Sequence, residues 1–100
     1  MAQDSAERVH DEDLLIEDDQ HTSELLSATL SASHYAVDAI ADGAAGVEMA
    51  TQWNYDLILL DVLLPKLNGI EVCRRLRTQG CQTPILMLRT CKKITFTSSM

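Results

Sequence analysis

The chain has 100 residues, room for one small domain, and its 46% hydrophobic content is enough for a core built from Leu, Ile, Val and Ala, since aromatic residues make up only 4%. A formal charge of −7 argues against non-specific nucleic-acid binding by the domain itself. The three cysteines Cys73, Cys81 and Cys91 contain no C-x-x-C pair, which excludes a disulfide framework and a thiolate zinc site.

Residues 1–12, MAQDSAERVHDE, carry many charges and no period, and are expected to form a disordered acidic arm. They do not resemble a signal peptide, and no apolar run approaches a membrane span, so a cytoplasmic protein with idle thiols is expected. Leu14 to Ile16 is a short apolar run that reads as a buried strand, stopped by the acids Glu17, Asp18 and Asp19. From Gln20 the period changes. Leu25, Leu26, Thr29 and Leu30 recur at three and four, predicting a helix with an apolar stripe that breaks over Ser31 to His34. Tyr35 to Ile40 suits a strand. The turn ADG then leads into an Ala-rich helix with Val47, Ala50 and Trp53 at helical spacing.

Leu57 to Leu60 is apolar without alternation, as in a parallel-sheet strand buried on both faces, and Asp61 closes it. Pro65, Asn68 and Gly69 mark a loop. Ile70, Val72, Cys73 and Leu76 make the next helix face, with Arg74, Arg75 and Arg77 on or near the other, and Gly80 is placed as its C-terminal cap. Pro84 to Leu88, PILML, is a fourth buried strand. The order β-α-β-α-β-α-β predicts βαβ units, hence an α/β fold with a three-layer parallel sheet flanked by helices.

Charge is unevenly distributed. Before Lys66 the only Lys or Arg is Arg8, and after Glu71 there is no acid. In open α/β sheets ligands bind beyond the carboxyl ends of the strands. Glu17, Asp18 and Asp19 lie at that end of the first strand and Asp61 at that end of the third. If these strands are neighbours, the carboxylates crowd together and require a cation or a proton. A hard ion such as Mg²⁺ prefers oxygen ligands of this kind. Asp61 would then be a ligand, a nucleophile or both. Taken singly, the acids after the first strand also suit a helix N-terminus, and Asp61 a loop cap. The segment DGAAG reads as a turn opening a helix rather than a nucleotide loop, and His10, His21 and His34 have no ligand spacing.

The segments LLIEDD, DLILLDVLLPKLNGIEVCRRLR and TPILML resemble the receiver domain of bacterial two-component response regulators, over about Leu14 to Leu88. The match is most similar to receivers that precede a winged-helix DNA-binding domain. The resemblance implies a flavodoxin-like receiver fold, here incomplete, with about four of five βα units. It implies that Asp61 accepts a phosphoryl group from a sensor histidine kinase. It further implies that Glu17, Asp18, Asp61 and the backbone carbonyl of Leu63 hold Mg²⁺. Such a module is not an enzyme beyond slow self-dephosphorylation, and it reaches DNA only through an output domain.

The pattern departs at both edges. The family's Ser or Thr after the fourth strand is replaced by Arg89, with Thr90 one place later, and Lys92 and Lys93 lie too close to that strand to match the family's lysine. Asp13 falls on a strand position that is ordinarily buried. These changes suggest a partial receiver over 13–88 with a divergent tail over 89–100, as in a truncated or frame-shifted gene; the other reading frames past codon 88 should then encode a T-A-x-D segment and a later K-P. An open edge on the fourth strand would invite a receiver homodimer or aggregation. The competing expectations are an inert interaction fragment and an aspartate-nucleophile phosphohydrolase. The latter is disfavoured because position 63, two residues past Asp61, carries Leu rather than an acid.

Overall fold

The computed structural model describes residues 12–64 and 66–89. The expectations for residues 1–11 of the N-terminal arm, Pro65, Thr90, Cys91, Lys92, Lys93 and the tail strand ITF lie outside the described residues, whereas Glu12, placed in the arm from sequence, opens the first strand. Seven elements alternate: β1 (Glu12–Ile16), α1 (Gln20–Ala32), β2 (Ala36–Ile40), α2 (Gly43–Gln52), β3 (Leu57–Asp61), α3 (Gly69–Thr78) and β4 (Ile85–Leu88).

All strand pairs are parallel and the order is β2-β1-β3-β4, as the alternation of strands and helices predicts. The chain steps outward from β1 to β2, then crosses back over β1 to reach β3 and β4. The direction of winding therefore reverses between β1 and β3, and a crevice opens there at the strands' carboxyl ends.

The core explains why β1 and β3 lack alternation. Leu14, Ile16, Ile58 and Leu60 pack with Val47, Ala50, Val72 and Leu76 of α2 and α3. Leu15 and Leu59, which point the other way by the two-residue strand period, are buried as well. Tyr55 closes the floor of this core. Its hydroxyl donates to Asp38 Oδ2 at 2.6 Å, and burial together with the Asp38 carboxylate pushes the phenol well above its ordinary range. Asp13 is buried at the amino end of β1, the ordinarily buried position assigned to it from sequence.

Short polar side chains start every helix. Asp19, Asp42 and Asn68 are the N-caps of α1, α2 and α3, each accepting a backbone N–H from the first turn. Two helices close with the same device. After α3, Gly80 N donates to Arg77 O and Cys81 N to Leu76 O, with Gly80 at φ +87°, as the sequence placed it. After α1, His34 N donates to Ser31 O and Tyr35 N to Leu30 O. Here the left-handed position is held by His34 at φ +72°. A side chain with a Cβ is strained in that region, by roughly 1 kcal/mol. His34→Gly is therefore expected to stabilise the fold by about 0.5–1 kcal/mol, read as a raised urea midpoint at constant slope. An unchanged or lowered midpoint would show that position 34 carries no such strain.

Four assignments from the sequence need correction. β4 is not a buried strand: none of its residues is buried, and Leu86 is 53% exposed on this outer strand of the described sheet. The apolar stripe of α1 is not buried: no residue of the helix is, and Leu25 is 61% exposed. Trp53 does not join Val47 and Ala50 in the core, because the helix ends at Gln52 and the chain turns extended at Trp53, leaving the indole 63% exposed. Ile70 is also exposed, on the outer side of the first turn of α3, while Val72 and Leu76 carry the packing.

Candidate metal centre

The register places Ile16 beside Leu60, so the residues at the carboxyl ends of β1 and β3 meet at the crevice. Hydrogen bonds continue just past both strands. Glu17 N donates to Ile40 O at 3.0 Å, tying that residue to β2, and Val62 N donates to Leu88 O at 3.0 Å, tying the end of β3 to β4. The backbone carrying Glu17 and Asp61 is thus fixed by the sheet rather than left to a loop.

Backbone amides then aim the carboxylates. Asp19 N donates to Glu17 Oε2 at 3.0 Å, and Leu63 N donates to Asp61 Oδ1 at 3.1 Å. Glu17 and Asp61 are buried and Asp18 is half-buried. Glu17, Asp18 and Asp61 each offer an oxygen, and these oxygens lie within 4.8 Å of one another. Three carboxylates so placed disfavour one another's ionised forms unless a cation stands among them. An all-oxygen donor set, partly buried and open on one side, fits a hard divalent ion that retains some of its water. This arrangement answers why a carboxylate ends the apolar β3: Asp61 is 0% exposed, and it stands where two other acids converge.

The acids after β1 divide their tasks. Glu17 and Asp18 join Asp61, whereas Asp19 caps α1 by accepting from Thr22 N at 2.9 Å and from the Thr22 hydroxyl at 2.6 Å. Asp19 is therefore the helix cap of this stretch, while Glu17 and Asp18 are the acids that converge on Asp61. Leu63 sits beside Asp61 in the following loop, with its amide engaged as above.

Gly69 brings α3 against this loop. Its N–H donates to Val62 O at 2.9 Å, and a Cβ there would stand 2.6 Å from Asp61 O and 2.8 Å from Val62 Cα. The sequence identified Gly69 as shaping the loop, and close backbone approach is the reason. Lys66 was not singled out. It lines a surface cavity of about 510 Å³ with Asp18, Asp42, Gly43 and Leu64, beside the acids. The available signal was that Lys66 is the first Lys or Arg after Arg8 and falls in the loop after Asp61.

Known proteins share this arrangement of strands. A family model described as the response regulator receiver domain matches residues 14–98. The protein RcaC of Microchaete diplosiphon is 44% identical over 82 residues, which are 82% of this chain and 13% of RcaC. The response regulator ArlR of Staphylococcus haemolyticus is 43% identical over 83 residues, 83% of this chain and 37% of ArlR. The chain thus spans well under half the length of either relative. Among solved structures, the receiver domain of the sensor histidine kinase PA1611 from Pseudomonas aeruginosa, with a magnesium ion coordinated in its active-site cleft, superposes with a TM-score of 0.77 at 33% identity, covering 90% of this chain and 75% of that one.

Proposed function

Since the chain belongs to the response regulator receiver domain family, we propose that it is a phosphoacceptor module in which Asp61 takes a phosphoryl group from a sensor histidine kinase. The observation that carries this reading is the convergence of Glu17, Asp18 and Asp61 at the crevice between β1 and β3. In the proposed step an Asp61 carboxylate oxygen attacks phosphorus in line. The P–N bond to the kinase histidine breaks, its electron pair stays with the imidazole, which takes up a proton, and an acyl phosphate remains on Asp61. Glu17, Asp18, Asp61 and the Leu63 carbonyl are the groups that would hold Mg²⁺. When bound, the ion supplies neutralisation of charge on the attacking and transferred oxygens. The magnesium ion in the PA1611 receiver supports this choice of metal.

The chain's own residues do the positioning. The Leu63 amide fixes one Asp61 oxygen, and the Asp19 amide fixes one Glu17 oxygen. A phosphohydrolase reading has less support, because turnover would call for a second acid near the nucleophile, and Leu63 occupies the position two residues on. The module would work in the cytoplasm; among the described residues no helix is long and apolar enough to cross a membrane. The likeness to the response regulator ArlR supports a place in a regulated response; in the proposed role in transcription, DNA would be contacted by a separate output domain rather than by this acidic unit. Residues 12–88 would form the receiver unit, between an acidic arm over 1–11 and a divergent tail over 89–100. The outer side of β4, where Leu86 and Met87 are exposed, is the surface through which two copies would pair.

Incubation with Mg²⁺ and acetyl phosphate tests the central reading. One phosphoryl group per chain is expected by mass, and none on Asp61→Asn. No gain in a folded wild-type chain would favour an inert interaction fragment, and many turnovers per chain would favour a hydrolase.

A further inference from the structure

The end of the sheet opposite the acids carries a hollow of about 250 Å³, just before β3 and β4. Its walls are the connections that follow α2 and α3, with Thr51, Trp53 and Asn54 on one side and Gln79, Gln82 and Thr83 on the other. These walls are braced from behind. The Thr83 hydroxyl donates to Tyr55 O at 3.2 Å, joining the two connections. Arg77 donates to Cys81 O at 2.8 Å and to Thr83 O at 2.9 Å, and Cys81 N closes the end of α3 on Leu76 O at 2.9 Å. The shape is therefore held by the fold, which lowers the ordering cost of binding.

Trp53 is the only tryptophan in the chain, and it stands at this hollow 63% exposed. An indole left in water forgoes the burial of a large apolar face, and its N–H edge remains to be paired. The groups around it are of both hydrogen-bonding kinds. The side-chain amides of Asn54, Gln79 and Gln82 each carry N–H donors and a carbonyl acceptor, and they make no hydrogen bond among the described residues. The Thr51 and Thr83 hydroxyls donate inward, to Glu48 O and Tyr55 O, which leaves their oxygens to accept. No acidic or basic side chain is among the described residues that line the hollow.

These features discriminate between ligand chemistries. An anion would find no lining cation, in a chain of formal charge −7. A quaternary ammonium would use the indole face and none of the amides. A polyproline segment offers carbonyl acceptors without N–H donors, so the amide carbonyls and threonine oxygens would be covered unpaired. A pyranose ring presents a flat face of C–H groups to the indole and an edge of hydroxyls that both donate and accept, as the amides do. The volume lies just below the range of roughly 300–1,000 Å³ usual for drug-sized ligands, which suits a single ring. We infer that this hollow is a binding site for a neutral sugar, with one ring stacked on Trp53 and its hydroxyls shared among Asn54, Gln79 and Gln82.

The full chain is titrated with methyl glucoside, methyl galactoside and maltose while the emission of its single tryptophan is recorded. A saturating blue shift with at least one of these sugars is expected. Saturation-transfer NMR on the sugar protons reads the same binding without the fluorophore. By that measure Trp53→Ala should lose the signal, and Gln82→Ala should weaken binding on the order of tenfold. Both variants should melt with the wild type, since the side chains removed are exposed. No saturable response to any of the three sugars overturns the inference, as does an undiminished NMR signal with Trp53→Ala. A saturating response to adenosine or to tetramethylammonium, with none to the sugars, also overturns it and assigns the hollow to a base or a cation.

Discussion

Asp61→Asn should make the metal-free protein more stable and remove most of its response to Mg²⁺. The three carboxylates present oxygens within 4.8 Å of one another, so removing one charge relieves repulsion worth about 1–2 kcal/mol. The amide keeps an oxygen for the Leu63 N–H, so the local fold has reason to persist. The wild type should behave in the opposite way when the ion is added. At a hundredfold excess over its dissociation constant, Mg²⁺ should stabilise it by about 2.7 kcal/mol, roughly 10 °C or more in a domain of this size. Calorimetric melts of both proteins over a Mg²⁺ series decide the matter. Equal melting temperatures without metal and parallel responses with it would mean that Asp61 is no part of a cation site.

Gly69→Ala is expected to be among the most damaging single-methyl changes in the chain. The added carbon would meet Asp61 O at 2.6 Å and Val62 Cα at 2.8 Å, both backbone atoms at the end of a central strand. A flexible side chain could rotate away, as Ile16 could from a Cβ at Gly46, but this backbone is held by the Val62 N–H to Leu88 O bond. Relief would require α3 to move off the loop, breaking the Gly69 N–H to Val62 O bond. We expect a loss of about 2–3 kcal/mol and weaker Mg²⁺ binding together, because the displaced atoms carry the acid. Chemical denaturation and a metal titration on the same variant test both halves. Loss of stability with metal affinity intact would show that the loop yields away from Asp61.

The strands and the cluster of acids at their carboxyl ends were legible in the sequence because their signals are local and strong. An unbroken apolar run ending in an acid calls for burial on two faces and a compensating partner; Ile58 to Asp61 are buried, and two further acids converge on Asp61. What the sequence could not decide was which faces find cover. The spacing of Leu25, Leu26 and Leu30 defines a stripe on α1, but periodicity describes the helix and not what lies opposite, and the stripe is unburied. Trp53 continued the spacing of Val47 and Ala50 on paper, yet the helix stops one residue short of it. The division of Glu17, Asp18 and Asp19 was equally hidden, since three consecutive acids look alike until the start of α1 claims the third as its cap.

The position of β4 has a consequence for amide hydrogen exchange. Among the described residues it is an outer strand, of four residues, joined to the sheet on its β3 side, with Ile58 N bonded to Pro84 O and Val62 N to Leu88 O. In a parallel ladder this spacing turns the N–H groups of Leu86 and Leu88 inward and those of Ile85 and Met87 outward. Deuterium should therefore enter Ile85 and Met87 quickly and Leu86 and Leu88 slowly in an isolated chain. Protection appearing at the first pair as protein concentration rises would place a second strand against that border.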